Sequence, residues 1–340
     1  MSEVYLHVGP VKTGSTYLQD LLWANRQSLA QQGVLNPCEH DNEMWFATND
    51  IQDGAFIHFD MPEAEGAWGR VRDRALAFDG SSILSHEVLG LSTDEHVSKI
   101  AASLHPATLH VIVMARGLAA ILPSLWQEKV KMVDPDVGWP EFVEEQHRTG
   151  APWTDASRIV SRWLKHLPAS RIHVVTVPPR GGDRSLLLRR FTEVIGVDIM
   201  DWEAGGDAAN ESLDAVQSEL IRRLNQVTSE FLDIRAQRRL VNRAVLPLMN
   251  PADPGRRRRL PVTARAWVEA ETTRRIHQLR ESGVVVHGTL DDLEAPEDAW
   301  DSSGGTVTET DLLHEALRLL AASHPDRAPQ GRPQRGRGLA

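Results

Sequence analysis

Residues 109–114, Leu-His-Val-Ile-Val-Met, are almost continuously apolar and lead through Arg116 into a helical pattern over 117–131. A strand of this kind buries both faces, which is the condition of an inner strand in a parallel sheet covered by helices. The same alternation recurs along the chain. Val4, Leu6 and Val8 precede a helical face at Tyr17, Leu18, Leu21 and Leu22, and Ser82–Ser85 precedes a helix capped by Thr93-Asp94 that runs to about Leu104. Asp155–Leu167, with Ile159, Val160, Trp163 and Leu164 on one side, precedes a strand over Arg171–Val177 and a helix over Asp183–Ile195. Strands alternating with helices predict an α/β fold with a mainly parallel sheet, whose ligand sites lie beyond the carboxyl ends of its strands. The segment before the second helix, His86-Glu87, and Arg116 both fall at that edge, as does the turn Pro178–Gly182.

The first strand, loop and helix, VYLHVGPVKTGSTYLQDLL over Val4–Leu22, compose an anion site. The helix begins near Gly14–Thr16, so its unpaired N–H groups and the positive end of its dipole meet the loop. Lys12 adds a full charge, Thr13, Ser15 and Thr16 carry hydroxyls, and Gly14 admits a ligand close to the backbone. A Walker A loop, GxxxxGK[ST], is not matched, because Lys12 comes two residues before Gly14. A glycine turn that binds nothing is the plain alternative.

With 340 residues and 41% hydrophobic composition, the chain is long enough for a sizeable core. Its net charge of −10 argues against a nucleic-acid partner recruited by bulk electrostatics. The one cysteine, Cys38, allows no internal disulfide framework. The fourteen histidines show no zinc spacing, and His86-Glu87 is not part of HExxH, so no metal is expected. No stretch approaches about eighteen consecutive apolar residues and no signal peptide is visible, so the expectation is a cytoplasmic protein without a membrane span.

Between 36 and 80 the periodicity is weak and turn formers are many, which reads as an insertion rather than core. Its aromatics, Trp45, Phe46, Phe56, Phe59 and Trp68, either wall an acceptor pocket or pack over the sheet. Residues 132–154 read as a lid or an ordinary connection around a short helix at 139–148. Helical sequence resumes from Ser212 to about Leu246 with a break near Leu232. Arg256–Arg259 is either a solvated basic loop or a second anion clamp. A helix near Thr263–Ser282 leads into a late strand, Val284–His287. The expected organisation is one domain over 1–295, a linker and amphipathic helix over 296–322 with Thr308 and Asp311 as its capping box, and a disordered tail over 323–340.

The string Pro10-Val11-Lys12-Thr13-Gly14-Ser15-Thr16 resembles the PxKTGST loop of the sulfotransferases that use 3′-phosphoadenosine-5′-phosphosulfate (PAPS), where it cradles the 5′-phosphosulfate. VIVMARGLAAILPSLW, with Arg116 and Ser124 eight residues apart, resembles the family element that binds the 3′-phosphate. ILSHEVL over Ile83–Leu89, RIHVVTVPPRGGDRSLLLRRF, and Asn210-Glu211-Ser212-Leu213 are similar to parts of the bacterial group, so the likeness runs from residue 4 to about 293. It departs from the animal cytosolic enzymes in lacking a clear adenine-stacking element and their late glycine-basic loop.

The resemblance implies a P-loop-type sulfotransferase domain that moves a sulfuryl group from PAPS to a hydroxyl or amine acceptor without a metal. Lys12, Thr13, Gly14, Ser15, Thr16, Arg116 and Ser124 would bind the nucleotide. Lys12 would also stabilise the leaving group, and His86 or Glu87 would serve as base, since related enzymes use either residue type. Acceptors in the family's range are small molecules, carbohydrates or lipids, and neither the acceptor nor the oligomeric state is legible. Two other readings share the loop: a P-loop small-molecule kinase using ATP and Mg²⁺, which should show an Asp after a buried strand, and a protein that binds PAPS or PAP without catalysis.

Overall fold

The computed structural model describes residues 2–55, 61–133, 137–181, 183–200, 202, 212–301 and 307–324. The chain opens with β1 (Glu3–Val8), whose Val4, Leu6 and Val8 are fully buried, and passes through the glycine loop into α1 (Ser15–Ala24). The helical stretch after loop one is two helices, not one. The Asn25 side chain donates to the Leu21 carbonyl at 2.9 Å and Asn25 leaves the helical conformation, so α2 (Arg26–Gln31) starts afresh. It leads to β2 (Val34–Leu35).

The segment read as an insertion belongs to the core. It forms α3 (Glu43–Ile51) and α4 (Ala67–Ala77), whose Met44, Ala47, Trp68, Val71 and Ala75 pack in one cluster with Val4, Leu6 and Val8. Burying each of the larger side chains contributes about 1.5–3 kcal/mol. Trp68 also donates its indole N–H to Ser103 Oγ at 3.0 Å, so packing over the sheet accounts for this aromatic, while Phe56 and Phe59 lie outside the described residues.

After β3 (Ser81–Ser85), α5 (Asp94–Ser103) is capped by Thr93 as read, with His96 in place of the usual acid in the reciprocal position. Then come β4 (Thr108–Ala115), α6 (Leu118–Lys131), α7 (Trp139–Thr149), α8 (Ala156–Trp163), β5 (Ile172–Thr176) and α9 (Arg184–Ile195). Farther along lie α10 (Ala215–Thr228), α11 (Ile234–Arg239), β6 (Leu260–Pro261), α12 (Arg265–Glu281), β7 (Val285–His287), β8 (Trp300–Asp301) and α13 (Glu309–Ala322).

Among the described residues six strands form one sheet in the order β2-β3-β1-β4-β5-β7, and every pairing is parallel. The chain is therefore an α/β protein with a parallel sheet flanked by helices. Val111 and Val113 enter the core on one face of β4 and Ile112 and Met114 the core on the other, as the continuous apolar run requires. On the second face a row of rings crosses the strands. Tyr5 stacks on His110 at 5.1 Å, His110 Nδ1 meets His173 Nε2 at 3.1 Å, and His173 Nδ1 meets His287 Nε2 at 3.2 Å. His287 Nδ1 faces Glu193 on α9 at 3.7 Å.

The chain divides into two units, one of Met1–Leu125, Pro140–Ala209 and Leu260–Ser302, the other of Trp126–Trp139, Asn210–Arg259 and Ser303–Ala340. The first contains the sheet. Within the second, Gln127 brackets Leu213 through both amide atoms, Asn225 donates to the Val130 carbonyl at 2.8 Å, and the Arg258 guanidinium lies 4.9 Å from the Trp126 ring. The Thr308–Asp311 capping box is present on α13; of its leucines Leu312 is buried, while Leu313, Leu317 and Leu320 are exposed.

Candidate functional site

Loop one joins the carboxyl end of β1 to α1 and is pinned by close backbone contact. The Gly9 N–H donates to the Glu87 carbonyl at 2.9 Å, and a Cβ on Gly9 would sit 2.5 Å from that oxygen. A Cβ on Gly90 would meet the Gly9 backbone at 2.9 Å, so two glycines let β1 and the end of β3 approach. Beyond Pro10 the chain reverses through positive φ at Lys12 (64°) and Gly14 (89°). Thr13 is fully buried and donates its hydroxyl to the Pro10 carbonyl at 2.7 Å, so that hydroxyl shapes the loop. Ser15 is buried and Thr16 exposed; no side chain caps α1, which leaves its first N–H groups facing the loop.

Arg116 follows β4, the neighbour of β1, and its Nη1 donates to the Lys12 carbonyl at 2.6 Å. Loop one and Arg116 are thus brought together at one sheet edge. Among the described residues Arg116 has no carboxylate partner, and burial followed by the nearby Arg180 charge pushes its pKa down to about 10. A second arginine lining the same recess, the buried Arg275, provides the contrast. Its guanidinium is taken up by Glu271 and by Thr154, Gly150 and Ala151, so it holds α12 to the α7–α8 connection. Ser124 lies in the second turn of α6, half-buried, with its hydroxyl donated to the Ala120 carbonyl at 3.3 Å.

His86 and Glu87 stand at the end of β3, on the other side of β1 from Arg116. Burial tends to raise the Glu87 carboxyl, but His86, the carboxyl's own backbone N–H, Gln19 and His7 together hold it below the ordinary carboxylate range. Gln19 on α1 makes the direct contact, donating to Glu87 Oε2 at 2.9 Å. Burial lowers the His86 pKa, with Glu87 opposing, and His86 Nδ1 accepts the Val88 N–H at 3.2 Å. The neutral ring therefore carries its proton on Nε2. Trp45 flanks it, the ring centroids 5.4 Å apart. Beneath them His7 is fully buried, with Nδ1 2.7 Å from Ser85 Oγ; burial drives its pKa down to about 4 against the pull of Glu87.

Four neighbours were not singled out as site residues from the sequence. Gln19 and His7 look like ordinary polar positions of a helix and a strand, and Trp45 was one aromatic among several. Arg180 was legible only as part of a turn at the right edge. The Arg256–Arg259 run supplies structural contacts in the second unit. Arg258 is buried and donates to the Ala215 carbonyl at 3.0 Å, while Arg256 pairs with Asp311 at 2.6 Å.

A phosphosulfate donor fits this donor set on three counts: an uncapped helix start, a lysine in the loop, and a half-buried guanidinium without a counter-charge among the described residues. No curated protein and no solved structure matches the chain. Residues 5–176, half of its length and the stretch from β1 to the end of β5, match the sulfotransferase domain, and the chain belongs to that family.

Proposed function

We propose that this protein is a PAPS-dependent sulfotransferase acting on a hydroxyl or amine acceptor, with Glu87 as the base. The reading rests chiefly on Arg116, a half-buried cation without a carboxylate partner among the described residues, bonded to the backbone of the lysine-bearing loop. Such a group is costly to bury alone and is satisfied by a dianionic phosphate.

When bound, PAPS supplies the activated sulfuryl group. The α1 N–H groups, Ser15 and Thr16 would hold its 5′-phosphate, and Arg116 with Ser124 would hold the 3′-phosphate. Lys12 would neutralise negative charge developing on the donor's leaving oxygen, so the loop would act by position and electrostatics. As the sulfuryl group moved to the acceptor oxygen or nitrogen, Glu87 would take the acceptor's proton. His86 is the weaker candidate for that proton, because its Nδ1 lone pair already accepts the Val88 N–H and its Nε2 is protonated. It is better placed to donate, through Nε2, toward the acceptor.

Calorimetry with PAP, AMP and ATP plus Mg²⁺ tests the donor assignment. The expected result is a preference for PAP over AMP that Arg116→Ala weakens by roughly 10- to 100-fold, the loss of one or two charge-assisted hydrogen bonds. A preference for ATP would return the loop to the kinase reading.

A further inference from the structure

The turn between α10 and α11 carries Phe231 and Ile234, 68% and 49% exposed, beside Val227 on the last turn of α10 at 59%. Met132 (41% exposed) lies beside α11, since Arg238, one turn after Ile234, donates its Nε–H to the Met132 carbonyl at 2.8 Å. The segment is firmly seated. Gln237 donates to the Asn225 carbonyl and to Thr228 Oγ1, at 2.9 and 3.0 Å, and Val241 is buried, so the apolar side chains are held outward by a fixed helix.

The opposite side of Gln237 carries Arg235, Arg239 and Arg243, spaced i, i+4 and i+8 and all exposed. Residues 234–252 hold four arginines and no acid in a chain whose net charge is −10. Four other arginines of this unit are paired with acids, Arg222 and Arg223 with Glu219, Arg256 with Asp311, Arg318 with Glu315. Arg235, Arg239 and Arg243 have no carboxylate partner among the described residues. Of the acids at the adjoining turn, Asp233 caps the Ala236 N–H at 2.7 Å and Glu230 stands exposed.

We propose that this corner of the second unit docks on an anionic membrane surface, the arginines meeting lipid phosphates while Phe231, Ile234, Val227 and Met132 enter the boundary with the acyl chains. A basic helix face beside exposed apolar side chains is the pattern of an interfacial helix. A soluble polyanion would satisfy the arginines but offers aliphatic Ile234, Val227 and Met132 nothing to bury against, which favours the lipid surface. At physiological ionic strength, charges more than about 8 Å away are largely screened, so the acidic remainder of the chain does not cancel the local attraction. The inference does not depend on the sulfuryl-transfer reading.

Flotation of the full chain with vesicles of phosphatidylcholine, alone or mixed with phosphatidylserine, tests it. Partitioning is expected onto the mixed vesicles only and should weaken with salt. Combining Arg235→Gln, Arg239→Gln and Arg243→Gln should lower it by on the order of 100-fold, at about fivefold per arginine. The corresponding triple Lys variant should partition as the parent does, which separates lost charge from a damaged fold. Phe231→Ser should lower partitioning about tenfold. Equal capture by phosphatidylcholine alone, no capture at low salt, a silent Gln triple or a failing Lys triple would each overturn the proposal. So would a silent Phe231→Ser together with displacement by dextran sulfate, which would make the partner a soluble polyanion.

Discussion

Gln19 donates its side-chain amide to the Glu87 carboxylate at 2.9 Å, so the helix whose first turn faces loop one also holds the acid at the end of β3. The same amide nitrogen lies 3.4 Å from the Ser85 carbonyl, which fixes the side chain between the two. Under the proposed mechanism, the donor loop and the base are registered to each other by one residue.

Gln19→Leu is therefore expected to lower kcat about tenfold while leaving donor affinity nearly unchanged, since a small misplacement of the base is felt only in the transition state. It should also move the acidic limb of the rate profile upward, because the hydrogen bond it removes helps to hold the Glu87 carboxyl down. An unchanged kcat, or a loss confined to KM, would show that Gln19 only braces the fold.

Glu87→Gln should reduce turnover by roughly 10²-fold or more with PAP affinity retained. The Glu87 carboxyl lies below the usual carboxylate range, so its proton-accepting form persists at neutral pH and disappears only as pH falls through that lowered value. Hence kcat/KM should stay flat from pH 8 to about 6. An acidic limb that Glu87→Gln leaves in place and His86→Ala removes would transfer the role to His86.

Replacing Gly9 with alanine should destabilise the protein by about 1–3 kcal/mol and weaken PAP binding together. The new Cβ would lie 2.5 Å from the Glu87 carbonyl, a backbone atom that cannot rotate away, and the Gly9 N–H bond to that oxygen would stretch. Urea unfolding and calorimetry check the two effects; a variant as stable as the parent would mean the loop has room that the contact distances deny.

Stability should fall as the solution is acidified from pH 6.5 toward 4. Burial lowers His7 from 6.5 to about 4, so within that window the unfolded chain binds the proton and the folded chain does not. His7 alone should cost about 2 kcal/mol between pH 7 and pH 5. Burial and its two histidine neighbours lower His173 to about 4 as well, though its partial exposure makes that contribution smaller. His7→Leu should flatten the dependence measured by urea unfolding; an identical slope would mean that His7 does not titrate as its burial requires.

The parts of the fold that could be read in the sequence are those where one physical pattern dominates. The two-faced apolar run of β4, the strand-glycine-helix order of loop one and the Thr93 cap each leave a local signature. The helices α3 and α4 did not, because α3 buries Glu43, Thr48 and Asn49 alongside Met44 and Ala47, which erases its apolar periodicity. Glu43 is compensated by Arg74 on α4 at 2.5 Å, a partner thirty-one residues away that no local window contains. Strand β2, two residues long, is too short to show a period. At the site, the loop and Arg116 were legible as types of residue at strand ends. The Gln19 contact was not, since it joins positions 68 residues apart through the pairing of β1 with β3.

The imidazoles of His110, His173 and His287, each bonded to the next through Nδ1 and Nε2, cannot choose their tautomers separately. With Glu193 facing His287 Nδ1, the neutral arrangement that agrees at every link places the proton on Nδ1 of all three, every N–H pointing across the sheet toward α9. Reversing the sense at one ring leaves two lone pairs, or two protons, opposed at a neighbour. Three strands far apart in the sequence thus share one polarity, set by a single line of hydrogen bonds across the sheet.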